Sequence, residues 1–345
     1  MLNLTYINLM KKMSEVKSIN LSPGEMYVLN TNLTDKPKQE VEFLQKVNED
    51  ELDDSEFVST KIEDTVKYYD VLPNPIKYTN NKYSNYSVTL IDVNPRMCPE
   101  GRTVEFRAVQ AARTSYGANM KSIKDDNNLF DYLVRNQHTS PLEFVNFTFR
   151  VDCPIYVARQ IMRHRTFSFN EYSLRYSSVK QEHDEIVDFR SPHICNKQSS
   201  TVKTFKDEIL TKMINDHFDE TYAIYDLLIE ADVCKEQARS IIPVGEMTTF
   251  YASVNLNNLF KFLRLRMDEH TQKETRVIAH MMSLGLQEVA PIAYNSFNKY
   301  MINSYTLTVD ELRALLNDED YKTDSKSGLH EFNKKKQDIM NKIKS

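Results

Sequence analysis

This 345-residue chain is poor in glycine: it has six, at 24, 101, 117, 245, 285 and 328, where average usage is roughly 7%. No two of them fall within ten residues of each other. That spacing excludes both G-x-G-x-x-G and G-x-x-x-x-G-K-[ST], which need clustered glycines to bring backbone against phosphate. Any nucleotide phosphates must therefore be held by side chains. Cysteine is sparse as well. The four, at 98, 153, 195 and 234, form no C-x-x-C pair for redox work or zinc. Their scatter suits a reducing compartment, so a cytoplasmic protein is expected. There is no H-E-x-x-H, and no histidine stands at zinc-ligand spacing from a cysteine, so no metal is expected. No run approaches 18 apolar residues, which excludes a spanning helix. The opening MLNLTYINLMKKMSEV lacks the small-residue cleavage site of a secretory signal. A net charge of −5 argues against a dedicated nucleic-acid coat.

What is present is the composition of a globular protein, 41% hydrophobic and 27% charged, with enough chain for a sizeable core. Residues 1–86 read as a polar, acidic and partly disordered extension. They lack a long apolar period, crowd acids into 49–56, and end in a linker-like stretch at 71–86 that carries Pro73 and Pro75. Residues 87–316 read as the ordered domain. Strands are expected at SVTLIDV, from Ser87, and at FVNFTFRV, 144–151, where apolar and polar residues alternate. Helices are expected at 104–116, 129–136, 154–164, 202–231, 234–241, 246–253 and 256–265. A last one runs from 272 past 297, broken at Pro291. Residues 317–345 read as a charged, solvated tail. A few strands among many helices makes an α+β fold: a few-stranded, mainly antiparallel sheet packed with a helical region.

The chain prefers lysine to arginine, 28 to 16, yet from 125 to 179 there is no lysine and six arginines: 135, 150, 159, 163, 165 and 175. A surface needing only solubility would use the common residue. Arginine's planar, permanently charged fork suits phosphate or carboxylate. On a helix opening at Pro154, Arg159 and Arg163 share one face at i,i+4, with Gln160 and His164 on the adjacent one. Beyond it, Arg165, Ser168, Asn170, Glu171, Ser173 and Arg175 interleave with Phe167, Phe169, Tyr172 and Tyr176. By residue type alone this is an anion site, an ion-pair network at a subunit interface, or an Arg–aromatic RNA-binding module. The acidic total opposes the last.

The order of these residues is more specific. Residues 163–175, RHRTFSFNEYSLR, fit R-H-R-x-x-S-x-N-E-x-S-x-R at every specified position. The segment resembles the signature of the flavin-dependent thymidylate synthases. The likeness extends over about 87–303, through RAVQAARTSY, HTSPLEF, CPIYVARQIMRHR, EQARSIIPVGEMTTFYASVN and LFKFLRLRMDEHTQKE. It implies synthesis of dTMP from dUMP, with methylenetetrahydrofolate as carbon donor and NADPH as reductant through FAD. It further implies a homotetramer with its sites at subunit interfaces, and small molecules rather than nucleic acid or membrane as partners.

Residue by residue, the resemblance implies an FAD set of Ser115, Ser140, Glu143, Arg163, His164, Arg165, Asn170, Glu171, Asn255, Leu265, His270 and Gln272. The implied dUMP set is Gln160, Arg163, Glu171, Ser173, Leu174 through its backbone N–H, Arg175, Arg239 and Arg266. Arg266 takes the catalytic role, a fixed cation stabilising enolate charge on the uracil. His138 falls on the folate side. Lys261 departs from the pattern, standing where a family member has asparagine beside the flavin. Without the resemblance, His138 and His270 read as ordinary structural histidines, and Ser140 with Glu143 as a helix capping box. Cys153, ending an apolar strand, is not expected to be a nucleophile, since a thiol in apolar surroundings has a raised pKa. The alternative function is a catalytically silent relative that keeps flavin or nucleotide binding as a sensor. The intact signature, with Arg239 and Arg266, favours the enzyme.

Overall fold

The structure is a computed structural model that describes residues 67–117, 119–186, 189–192, 200–317, 320–323 and 325–344. The expectations for 1–66 and for Cys195 lie outside the described residues. In chain order, β1 (Tyr68–Asp70), β2 (Ile76–Thr79), β3 (Ser87–Asn94) and β4 (Met97–Pro99) precede α1 (Phe106–Thr114) and α2 (Ile123–Arg135). A 3-10 turn (Ser140–Phe144) leads into β5 (Asn146–Pro154), α3 (Ile155–Ile161) and β6 (Ser168–Glu171). Then come β7 (Phe189–Pro192), β8 (Ser200–Phe205), α4 (Glu208–Glu230), α5 (Lys235–Ala238), the 3-10 turn Arg239–Ile241 and β9 (Met247–Asn255). Helices α6 (Leu256–Arg266), α7 (Lys273–Val289), α8 (Pro291–Phe297), α9 (Val309–Asn317) and α10 (Lys326–Lys344) complete the described chain.

Five strands form the main sheet, in the order β2-β3-β5-β9-β6, with every neighbour antiparallel. The α+β class and the antiparallel sheet are as expected. The period of two explains why the sheet has an inner and an outer face. On β5, Phe147, Phe149, Val151 and Cys153 are buried, while Arg150 between them is exposed. On β9, Phe250, Ala252 and Val254 are buried and Tyr251 and Ser253 exposed. Helix α7 lies against the inner face. A Cβ on Gly285 would stand 3.3 Å from the Phe149 ring and 3.6 Å from Tyr78, so glycine permits this close approach. Residues of α1, α6, α7 and α8 close the core over the sheet. A smaller cluster forms where Phe218, Tyr222 and Tyr225 of α4 meet Val179 and Ala238.

Several expectations are corrected. Residues 71–86 are not a linker. They contain β2, a strand of the main sheet, and Leu72 and Tyr86 are buried at 1% and 0% exposure. Residues 246–253 are strand β9 rather than a helix, because Thr248, Thr249, Phe250 and Tyr251 suit a pleated surface. The helix expected from 202 starts at Glu208, where the Asp207 side chain accepts from the Leu210 N–H. Residues 202–205 belong to β8. The charged C-terminus is helical and mostly exposed, and α10 docks through Phe332, buried against Tyr321, and Lys334, paired with Glu269. At Pro291 the break between α7 and α8 falls as expected.

Candidate active site

Helix α3 and strand β6 carry the signature, and they hold its side chains in different places. Pro154 caps α3 in an extended conformation, φ −62° and ψ 151°, the backbone geometry of a helix entrance. At the sheet edge, Asn170 pairs with Tyr251 and Glu171 with Phe250. Since alternate side chains face opposite ways, Asn170 lies on the outer face beside the exposed Tyr251. Glu171 lies on the inner face, where the Thr248 hydroxyl donates to its carboxylate at 2.8 Å. The strand therefore separates two residues that the resemblance groups at the flavin.

Glu171 opens onto a cleft of about 210 Å³ whose walls include Arg159, Tyr172, Leu174, Arg239 and Thr248. Three of the expected dUMP residues, Glu171, Leu174 and Arg239, meet here. Arg159 joins them although no site role was assigned to it; its i,i+4 spacing from Arg163 was the available signal. A larger cleft of about 700 Å³, lined by Ser87, Arg150, Asp152, Lys180 and His183 among others, contains none of the expected site residues. One of its carboxylates is already matched, for Asp152 accepts from Ser87 at 2.8 Å and from Arg150 at 3.3 Å.

A second cluster joins α3 to α6 and α7. Arg266 donates from Nε to His164 Nε2 at 2.8 Å and from Nη2 to the Gln160 carbonyl at 3.1 Å. Burial, with the Arg266 charge beside it, pushes the His164 imidazole down to about 4. The ring is therefore neutral at physiological pH, with its proton on Nδ1 and Nε2 free to accept. Burial also draws Arg266 below the usual arginine value. Two bonds fix this guanidinium, and its remaining N–H groups are left for a ligand. The Gln160 amide donates to Gln272 Oε1 and accepts from the Thr275 hydroxyl at 3.0 Å. Thr275, wholly buried, was not anticipated.

The other expected residues are more dispersed. Arg175 is paired with Glu236 at 2.9 Å, and its backbone N–H reaches Ser173 Oγ at 3.3 Å. Asn255 caps α6 by accepting from the Asn258 N–H at 2.9 Å. Leu265, at the end of that helix, is 55% exposed, and Lys261 is exposed on its surface. The His270 imidazole meets Asp268 at 2.7 Å and Lys334 of α10 at 3.3 Å. Lysine only donates, so His270 Nε2 accepts and Nδ1–H donates to Asp268. Ser115 ends α1 and is exposed. Glu143 accepts from Asn257 at 3.4 Å. Ser140 does not cap; Thr139 occupies that position and makes no side-chain cap bond. His138 packs edge-on against Tyr132, with ring centres 5.5 Å apart.

Charge gives the site its character. Among the described residues, Arg159, Arg163, Arg165 and Arg239 have no ion-pair partner. Cys153 is wholly enclosed, and burial raises its thiol well above the ordinary value. Fold and site together define an α+β protein with arginines arrayed for anionic ligands.

Known proteins agree. Residues 101–292 match the family model described as thymidylate synthase complementing protein. A flavin-dependent thymidylate synthase of Dictyostelium discoideum is 37% identical over 288 residues, 81% of this chain and 93% of that protein. One from Thermus thermophilus is 42% identical over 207 residues, covering 60% of this chain and 76% of its own. A solved UMP/dUMP methylase of Streptomyces cacaoi, bound with 5-Br dUMP, superposes with a TM-score of 0.54 at 25% identity. It covers 64% of this chain and 97% of its own. The chain belongs to the thymidylate synthase complementing protein family, that of the flavin-dependent thymidylate synthases.

Proposed function

We propose that this protein converts dUMP to dTMP by reductive methylation, with methylenetetrahydrofolate as carbon donor, NADPH as reductant and FAD as cofactor. Four unpaired guanidiniums around α3 and β6, with Arg266 fixed beside them by His164, carry this reading. A glycine-poor chain needs such side chains to hold phosphates, and Arg163 with Arg165 matches the charge of the FAD pyrophosphate. Bound FAD supplies the redox chemistry, passing on reducing equivalents from NADPH. Arg159 and Arg239 take the dUMP phosphate at the cleft, and Arg175 joins them once it exchanges Glu236 for the dianion. That exchange costs little, because the pair is 50% and 62% exposed. Arg266 presents its free N–H groups to the uracil carbonyl and stabilises negative charge that develops there. Neutral His164 leaves the arginine charge uncompensated. Cys153 supplies no thiolate.

The working sites lie between subunits of a homotetramer in this reading. Ser115, His138, Ser140 and Glu143 are exposed, and so are their apolar neighbours Tyr116 and Phe144, each at 59%. A cytoplasmic location fits the free thiols of Cys98, Cys153 and Cys234. Among the described residues no helix is long and apolar enough to cross a membrane. The visible spectrum of the purified protein tests the reading. Flavin bands should bleach with NADPH and recover with dUMP and methylenetetrahydrofolate; a colourless protein that takes up no FAD would contradict it.

A further inference from the structure

Helix α10 lies outside residues 101–292, the part that the family model matches. It is nonetheless fastened along its length. Phe332 is buried at 1% exposure, its ring centre 4.8 Å from that of Tyr321. Lys335 reaches Glu311 of α9 at 3.4 Å, and Lys342 stands 5.1 Å over the Tyr305 ring. This docking brings Lys334 to the loop between α6 and α7, which carries Asp268, Glu269, His270 and Gln272. There its ammonium pairs with the Glu269 carboxylate and donates to His270 Nε2 at 3.3 Å. That ring nitrogen is 3.9 Å from Glu269 Oε1, so the ammonium bridges the two residues. Asp268 takes its partner, His270, from within the loop; Glu269 takes Lys334 from α10. Hydrogen bonding to Lys334, and then its charge, hold the Glu269 carboxyl below its usual range. The loop begins just after Arg266 and ends at Gln272, both of them bonded to Gln160 of α3.

We propose that Lys334 is a positioning residue that cancels the Glu269 charge beside His270, so that this loop can receive an anionic cofactor and α10 becomes part of the FAD site. This rests on His270 and Gln272 belonging to that site. A pyrophosphate approaching His270 would otherwise meet a carboxylate of like sign. The side chains of Lys334, Glu269 and His270 are 43%, 66% and 56% exposed, so water and salt screen the effect and keep it modest.

The test titrates FAD into the full-length protein stripped of cofactor, at low salt, and follows the change in flavin fluorescence. Lys334→Met should weaken FAD binding roughly two- to fivefold, the range of an exposed charge pair. Lys334→Arg keeps the charge and should bind as the wild type does. Lys334→Met combined with Glu269→Gln should recover the lost affinity, because no charge is then left to cancel. A role confined to docking α10 would lower the melting temperature of Lys334→Met and leave its FAD affinity alone, which overturns the inference. A double variant as weak as Lys334→Met also overturns it, since the ammonium would then act on the cofactor itself and not through Glu269. Failure of the wild type to bind FAD removes the proposed function and this inference with it.

Discussion

Two sets of arginines divide the molecule. Where α1 meets α2, Arg102 and Arg113 converge on Asp126, and no side chain of the three is more than 11% exposed. Nearby in kind is Arg190, paired at 2.6 Å with Glu274, whose side chain is 8% exposed. Around α3 and β6, by contrast, Arg159, Arg163, Arg165 and Arg239 have no ion-pair partner among the described residues. Both sets use the same side chain, so chemistry at the guanidinium does not distinguish them. The partner does. An arginine matched by a buried carboxylate holds the fold together. Arg107, Arg135, Arg264 and Arg276 are unmatched too among the described residues, so it is their position around α3 and β6, added to the missing partner, that points the other four to an anionic ligand.

Cutting the matched set should have the largest effect. Asp126→Ala leaves two guanidiniums facing each other without a counter-charge, which should cost about 3–5 kcal/mol of stability. Denaturant unfolding measures it, and the remaining folded protein should still take up FAD. Arg266→Ala comes next, with turnover falling more than ~10²-fold while the unfolding midpoint moves less than for Asp126→Ala. Steady-state assays on the FAD-loaded variant check this. Arg175→Lys keeps the charge and loses the fork, so dUMP should bind more weakly by ~1–3 kcal/mol. Calorimetry decides, and unchanged affinity would remove Arg175 from the phosphate site. The smallest effect belongs to Cys153→Ala. A buried thiol that takes no part in chemistry should leave dTMP synthesis within roughly tenfold, about 1.4 kcal/mol of barrier. A dead variant that still binds FAD and dUMP would restore a thiolate mechanism.

Much of this was legible in the residues, for identifiable reasons. The alternation in FVNFTFRV and the break at Pro291 are local signals, and both appear in the fold where they were read. Strand β9 defeats a local reading because Met247, Phe250 and Val254 also fit a helical spacing. What makes it a strand is its place between β5 and β6, a long-range fact. Residues 71–86 looked like a linker because Pro73, Pro75 and several asparagines flank a strand of only four residues. Glu171 and Asn170 are neighbours in sequence but lie on opposite faces of the sheet, which only the pairing with β9 reveals. Thr275 carried no signal, since a buried threonine on a helix reads as packing. The arginine cluster was legible as a cluster. Whether each member had a carboxylate partner was not, because Glu236, which pairs with Arg175, comes from a distant segment.

Melting Arg239→Met in the absence and presence of dUMP tests that distinction most directly. The account predicts a melting temperature close to wild type without ligand, because no carboxylate loses its partner. In the wild type, dUMP at 100 times its dissociation constant should add about 2.7 kcal/mol of stability, and the variant should lose most of that gain at the same concentration. A variant that melts several degrees lower on its own, yet gains as much from dUMP as the wild type, would show that Arg239 holds the fold and not the ligand.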